Sequence, residues 1–578
     1  MPQTSIEVVK LGLALSGGGF RASFFHIGVL AQMAMQGLLR HVEVISTVSG
    51  GSIIGALYYL HVKRLLESKV DEEITDQDYQ RLVEQIEVDF FAAVQRNFRM
   101  STFADWRANL QMRRSDYSRS DRIAELYNDL LYQPVQSGAS SPIQMRELKI
   151  RPKGSSMEFH PEKDNTRRRA KVPILLINAT TLNTGHNWRF TASRMGEPPR
   201  EDSLAKEIDK KAVRLRRPPS YDTIVTHQQD FPLGHAVAAS ACVPAIFHPL
   251  AISGLYHDLR VQLVDGGVHD NQGIQGLLDE DCTHFIVSDA SQQMEEEEEP
   301  ATDIGSVIRR SDDIFQDRLR EEQLFRLFEG KERSRVAFMH LRKGLPAKAV
   351  AWLSPDGQPA EEPRVEPPEF PSENFHVDQR VQNLLSKIRT DLDSFTEVEA
   401  YSLMLDCYFM SQSELRKLSD VLEINANRVV VDVARWKFLK IAPWMANPND
   451  SYLKQLEVAS EQLLKVFHLL WPKWLMNVML LTVLLIPAFL SWLLRNVMFS
   501  VGMLLFAGIV LAVGYSNPRL ARAFKLFRFF RSPIDTMARF VGRALIPVIG
   551  SLFVRIHLKF FDPLFLQQGK LERLKPPS

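Results

Sequence analysis

The sequence predicts an α/β fold with a mostly parallel sheet, followed by a helical region and a C-terminal transmembrane helical hairpin. Three observations carry that reading. Apolar strand-like runs alternate with helical patterns over the first 60 residues and resume after residue 170. Residues from about Val377 to Leu464 read as helices. Two uncharged apolar runs then lie almost end to end between Trp474 and Tyr515.

"KLGLALS" reads as a buried strand, and "RASFFHIGVLAQMAMQGLL" as a helix apolar on most faces, as expected inside a layered fold. "VEVISTVS" is a second strand and "GGSIIGALYYLHVKRLLES" a second helix. Alternation of this kind argues for a parallel sheet covered on both faces. Residues 67–170 are polar and mostly helical in pattern, and read as an insertion that shapes or covers a site. "VPILLINATTLNTGHNWRF" resumes the sheet, "LGHAVAASACVPAIFHPL" is a small-residue helix broken at Pro244, and "HFIVSDAS" is a further strand. The domain so outlined spans 1–293. Residues 294–371 form an acidic, Pro-rich variable segment, opened by "EEEEEP". A helical region over 372–470 completes or flanks the first domain. There is no internal repeat.

Residues 471–516 hold the hairpin. Its runs, Trp474 to Leu494 and Val497 to Tyr515, carry no charge, and each can cross a hydrocarbon core of roughly 30 Å at about 1.5 Å per residue. Trp474 and Trp492 stand near the ends of the first run, where aromatic belts occur. Residues 517–578 are a basic, membrane-proximal tail. Within it "RLARAFKLFRFFR" suits an anionic membrane surface, although cations at every third residue drift by about 60° per step around a helix, which makes a broad face. The excess of cations outside the hairpin places both of its ends, and the N-terminal domain, on the cytoplasmic side.

The net charge of +1 over 578 residues gives no field for nucleic acid. Cys242, Cys282 and Cys407 are far apart and form no CxxC pair, so neither a zinc site nor a disulfide framework is expected, and no metal or cofactor is. The usage fits a reducing compartment. The start "MPQTSIEVVKLGLALSGGG" lacks the features of a signal peptide.

Gly17, Gly18 and Gly19 follow the first strand and open a helix, a place where an anion can sit against backbone N–H groups. A P-loop would need Gly-Lys-Ser/Thr, whereas this helix opens Phe20-Arg21-Ala22. A dinucleotide site fits G-x-G-x-x-A formally, with Glu43 about 20 residues on, although Glu43 sits at the start of its strand rather than at the end. An oxyanion hole is the third reading. Thr47-Val48-Ser49-Gly50-Gly51 stands between a strand and a helix, the setting of a nucleophile elbow, with Thr47 at the position usual for the first glycine. Asp265 ends a short apolar run and is followed by Gly266 and Gly267, which allow close backbone approach. His269 is a bystander, since one short loop would have to present both members of a relay.

GGGFR, T-V-S-G-G and D-G-G, each ending a strand and in that order, together resemble the patatin-like phospholipase family. The resemblance runs from about Leu11 to Ala290 and includes "AVAASACVPAIF", with a weaker echo in "IRTDLDSFTEVEAYSLMLDCY". It implies a three-layer domain and a Ser-Asp dyad. Ser49 is then the nucleophile and Asp265 the base. Gly17, Gly18 and Gly19 supply oxyanion donors, and Arg21 supports that loop or the charge. Ala22 stands where a glycine is often found. The implied activity is hydrolysis of (lyso)phospholipid or acylglycerol esters at a membrane, with phospholipid as substrate and the bilayer engaged through the hairpin and basic tail. Thr47 motivates an alternative, a catalytically quiet scaffold or lipid-binding module. An NAD-dependent oxidoreductase would rest on GGGFRA and Glu43 alone.

Overall fold

The computed structural model describes residues 9–112, 117–136, 141–155, 158–199, 217–244, 246–291, 293–294, 297–330, 333–345, 353–358, 375–424, 436–462, 465–470 and 546–577. The chain divides into two compact units, one of 1–102, 114–462 and 566–578, the other of 103–113 and 463–565.

Among the described residues the first unit is built on nine strands: β1 (Leu11–Leu15), β2 (Val42–Val48), β3 (Ile174–Thr181), β4 (Asn187–Phe190), β5 (Met195–Gly196), β6 (Leu250–Ile252), β7 (Val261–Asp265), β8 (His284–Asp289) and β9 (Val336–His340). Their order is β5-β4-β3-β2-β1-β8-β9. From β9 to β3 every pairing is parallel, while β4 and β5 close the edge antiparallel. The parallel strands are continuous apolar runs because both of their faces are covered. Side chains alternate accordingly. Leu13, Leu15, Ile45 and Ile177 join one core with the helices α1 (Gly19–Met35) and α2 (Gly50–Ser68). Ala14, Val44, Leu176 and Val287 join a smaller core on the other face with Leu277, Leu324 and Leu327. This is the three-layer arrangement expected.

One feature of the sheet positions the site. The last pairing of β2 on β3 is Val48 with Asn178. The next residue of β3, Ala179, pairs with Asp265 of β7. Since β4 holds the opposite edge of β3 at Ala179 and Thr180, β7 occupies the edge that β2 leaves when it turns into α2. β7 runs antiparallel to β3, so its last residue is the one that meets the end of β2.

The 67–170 insertion is mostly helical, beginning with α3 (Asp76–Val94), where Thr75 and Asp78 form a capping box. The small-residue helix is Leu233–Ser240 and ends before Pro244. Segment 294–371 differs from the expected variable stretch: Ile304–Gly330 is a helix that buries Leu324 and Leu327, and β9 adds a strand to the sheet. The acidic, Pro-rich composition marks only parts of it. In the helical region Glu397–Val421 packs along α1, where a Cβ at Gly28 would stand 2.1 Å from the Met404 carbonyl.

In the second unit the helix Trp106–Gln111 packs against Ile546–Ile556, and Asn109 Nδ2 donates to Ser551 Oγ at 2.8 Å. The 471–516 hairpin and the basic run to 545 lie outside the described residues. Among the described residues no helix is long and apolar enough to cross a membrane. Residues 566–577 fold with the first unit, so the expected single tail of 517–578 is divided.

Candidate active site

Ser49 stands between β2 and α2 with φ 50° and ψ −117°, a strained backbone for a residue with a Cβ. Strand and helix cross closely there. A Cβ at Gly50 would lie 2.0 Å from the Gly19 carbonyl, and one at Gly51 2.2 Å from the Leu15 carbonyl. Thr47, the departure noted in the elbow pattern, is accommodated across the turn: a Cβ at Gly55 would meet its methyl at 2.5 Å. Its hydroxyl donates to the Leu176 carbonyl at 2.9 Å.

The elbow is held by hydroxyls outside the predicted set. Ser49 N–H donates to Ser240 Oγ at 2.9 Å, and Ser240 Oγ donates to the Asn178 carbonyl at 2.6 Å. Ser52 Oγ lies 2.8 Å from Ser240 Oγ and donates to Thr47 Oγ1 at 2.9 Å. Ser240 belongs to the "AVAASACVP" stretch. Its role depends on a helix 191 residues downstream packing beside the elbow, which no local pattern shows.

Asp265 is 6% exposed and Ser49 5%. Asp265 N–H donates to the Cys242 carbonyl at 2.9 Å, and Thr180 Oγ1 donates to the Asp265 carbonyl at 2.9 Å. The carboxyl oxygen Oδ1 accepts the Gly267 amide at 2.7 Å. Oδ2 is buried with no well-formed hydrogen bond. The Ser49 hydroxyl favours the ionised form of the carboxyl. Burial pushes the Asp265 carboxyl up to about 6, offset by the Gly267 amide and then by Ser49. Tyr127, on the insertion helix Arg119–Tyr127, is also buried there. Its hydroxyl has no hydrogen-bond partner, and burial followed by the Asp265 charge raises its pKa.

The glycine loop closes the site. A Cβ at Gly17 would stand 3.2 Å from Ser49 Cβ and 2.3 Å from Asn271 Oδ1, and one at Gly267 2.7 Å from the same Oδ1. The loop, the elbow and the turn after Asp265 therefore meet at one point. Gly18 and Gly19 take φ +133° and +58° and open α1. The expected donor role of Gly17 is corrected: its N–H donates to the Asn271 carbonyl at 3.0 Å, because the loop crosses the 267–271 turn. Among the described residues no protein acceptor takes the N–H of Gly18, Gly19 or Gly50, so these are the amides open to an anion. Arg21 is wholly buried and spends its guanidinium on the Ile388 and Ala290 carbonyls, each at 2.8 Å. It ties down the loop. Burial lowers it to about 10, with Asp289 opposing, so it stays charged at neutral pH.

Gly266 packs on the Asn178 carbonyl, and His269 sits on the Gly267–Asp270 turn that follows the carboxylate. Glu43 is far from the loop along β2: its neighbour Val42 pairs with Leu11, the first residue of β1, while the loop follows the last. The dinucleotide reading fails on that geometry. The three cysteines are free and buried, and the described residues hold no metal-binding cluster. A cavity of about 670 Å³ opens near the start of β3, beside Tyr59, Phe159, Ile174 and Arg189, and touches none of the site residues.

Residues 13–278 match the family model for patatin-like phospholipase. The chain carries a patatin-like phospholipase domain. Among solved structures, human GIVD cytosolic phospholipase A2 in complex with methyl gamma-linolenyl fluorophosphonate inhibitor and terbium chloride is similar at 15% identity and a TM-score of 0.37, over 72% of this chain and 60% of that chain. VipD from Legionella pneumophila is similar at 13% identity and a TM-score of 0.25, over 80% of this chain and 90% of that one. The chain thus spans about 60% of the length of the human phospholipase that it matches. No curated protein sequence matches it. The patatin-like domain contains all of the elbow, glycine-loop and Asp265 residues, but not Ala290, Ile388 or Asp391, which brace the loop from outside the match.

Proposed function

We propose that this protein is a serine acyl-ester hydrolase of the patatin-like type, acting on (lyso)phospholipid or acylglycerol esters at a membrane. The observation that carries this is Ser49 on a strained elbow beside a buried carboxylate whose Oδ2 lacks a well-formed hydrogen bond. As an ester enters, Ser49 Oγ bonds to the carbonyl carbon and its proton passes to Asp265. The carbonyl oxygen becomes an oxyanion against the amides of Gly18, Gly19 and Gly50. One such donor contributes roughly 3 kcal/mol at the transition state. Collapse breaks the bond to the alcohol, which leaves with the proton from Asp265. Water then bonds to the acyl carbon as its proton passes to Asp265, the Ser49 Oγ–carbon bond breaks, the fatty acid leaves, and Ser49 takes the proton back from Asp265. A pKa near 6 leaves Asp265 ionised at neutral pH, yet more basic than an exposed carboxylate.

Arg21 acts by holding the loop. The hairpin of 471–516 and the basic run after it would anchor the domain beside its substrate on the cytoplasmic face, a reading supported by their apolar and cationic sequence. The Thr47 methyl lies against Gly55, where the helix leaves room for it, and this supports the hydrolase reading over a quiet scaffold. Mass spectrometry of lipids released from mixed phospholipid vesicles tests the proposal. The wild-type protein should release fatty acid and Ser49→Ala should not, while both fractionate with membranes. Equal release by the two proteins would remove Ser49 from the reaction.

A further inference from the structure

We infer that residues 568–576 are a strap that positions the oxyanion loop from the far side of the helical region. The inference rests on the Ser49 reading above. The loop leans on a segment more than 360 residues away in sequence. Phe20 N–H donates to the Asp391 carbonyl at 3.0 Å and Arg21 donates to the Ile388 carbonyl at 2.8 Å. A Cβ at Gly19 would stand 2.7 Å from that same Asp391 carbonyl. Any shift of 388–391 therefore moves the amides that face Ser49.

Arg389, at the middle of that segment, is wholly buried. Its guanidinium donates to Asp393 at 2.9 Å, to the carbonyls of Ser394 and Ala459, each at 2.8 Å, and to Glu399. Glu399 is fixed in turn by Thr396, whose N–H donates to Glu399 Oε2 at 2.7 Å and whose Oγ1 accepts the Glu399 amide at 3.2 Å. The capping box of the Glu397–Val421 helix is thus also the anchor of Arg389.

The strap seats on that box. A Cβ at Gly569 would stand 2.3 Å from Thr396 Cβ and 2.7 Å from its Oγ1. Val398 N–H donates to the Gly569 carbonyl at 3.2 Å, and Leu571 N–H donates to Glu397 Oε2 at 3.0 Å. Three further bonds hold its end: Trp444 Nε1 donates to the Lys575 carbonyl at 2.7 Å, and Asn449 Nδ2 to the carbonyls of Lys575 and Pro576 at 3.0 and 2.7 Å. A continuous line of close contacts therefore runs from Gly569 through Thr396, Glu399, Arg389 and Asp391 to Gly19. The strap and Arg389 are positioning elements and touch no reacting atom.

Two full-length variants test this. Gly569→Ala presses a methyl into Thr396. Trp444→Phe with Asn449→Asp removes the three end bonds, while a carboxylate at 449 keeps the cap on Tyr452 N–H. Each should lower kcat and the rate of fluorophosphonate labelling by about ten-fold, as loop displacements well below 1 Å do, with KM within about two-fold and the active-site titre unchanged. Thr396→Ser, which removes the crowded methyl and keeps the capping hydroxyl, should recover part of the loss in Gly569→Ala. Wild-type labelling rates in the double variant, or a loss matched by a fall in titratable sites, would overturn the strap. Should Gly569→Ala fail to fold, the double variant decides alone. A wild-type protein that takes no label overturns the hydrolase reading itself, and the strap with it.

Discussion

Val48 and Asp265 take consecutive places along one edge of β3, opposite Asn178 and Ala179. Ser49 follows Val48 directly, so the register of two strands, rather than any long side chain, brings the Ser49 and Asp265 side chains together. The carboxyl is carried on the short aspartate side chain, whose backbone that register fixes. Asp265→Glu, which advances it by one methylene, should therefore cost about a hundred-fold in kcat with little change in stability, since misplacement near 1 Å has that cost. Steady-state hydrolysis of a soluble short-chain ester checks this. Full activity in the glutamate variant would mean that the carboxylate does not act on Ser49 directly.

Activity should rise with pH and level off above about 6, where Asp265 loses its proton. Stability changes in the opposite direction. The folded pKa of about 6 lies above the ordinary 3.8, so between those values the folded chain holds a proton that the unfolded chain has released. Stability from this group falls through that window and stays low above it, by on the order of 3 kcal/mol at most. Asp265→Asn should thus raise the melting temperature at pH 7.5 and leave it nearly unchanged at pH 4, while abolishing turnover at both. Thermal unfolding of the two proteins at the two pH values measures it.

Gly55→Ala should destabilise the domain by about 1–2 kcal/mol, because the crowding of the Thr47 methyl outweighs the gain in helix propensity. Thr47→Ser in the same chain should restore most of that, since it deletes the methyl and keeps the hydroxyl. Chemical denaturation of the two single variants and the double gives the coupling. Additive effects would show that Gly55 does not accommodate Thr47.

Ser49→Gly should stabilise the fold by about 1 kcal/mol while removing activity, since φ 50° is strained for serine and open to glycine. Urea unfolding against wild type reads the difference. A neutral or destabilising result would place the strain elsewhere.

The central sheet was legible in the sequence because β1, β2 and β8 are short apolar runs bounded by polar turns, and because they alternate with helices. Ser49 and Asp265 were legible for the same reason: each ends such a run and precedes glycines. The commitment of the Gly17 amide was not, since it depends on Asn271 reaching back across 254 residues to the loop. Ser240 and Asp391 were hidden likewise, one a small residue in a small-residue helix, the other acting through its backbone carbonyl, which carries no side-chain signal. In 294–371 the runs of acid and proline masked β9 and the helix before it. Their buried residues, Leu324, Leu327 and Val336, are too sparse to dominate the composition.

The most direct test of the Ser49–Asp265 reading is peptide mapping of the full-length protein after reaction with a long-chain alkyl fluorophosphonate. Ser49 should carry the whole adduct, formed with a rate that rises with pH to a plateau above about 6 and drops at least a hundred-fold in Asp265→Asn. An adduct on any other serine, or one that forms on Ser49 equally fast without the Asp265 carboxylate, contradicts it.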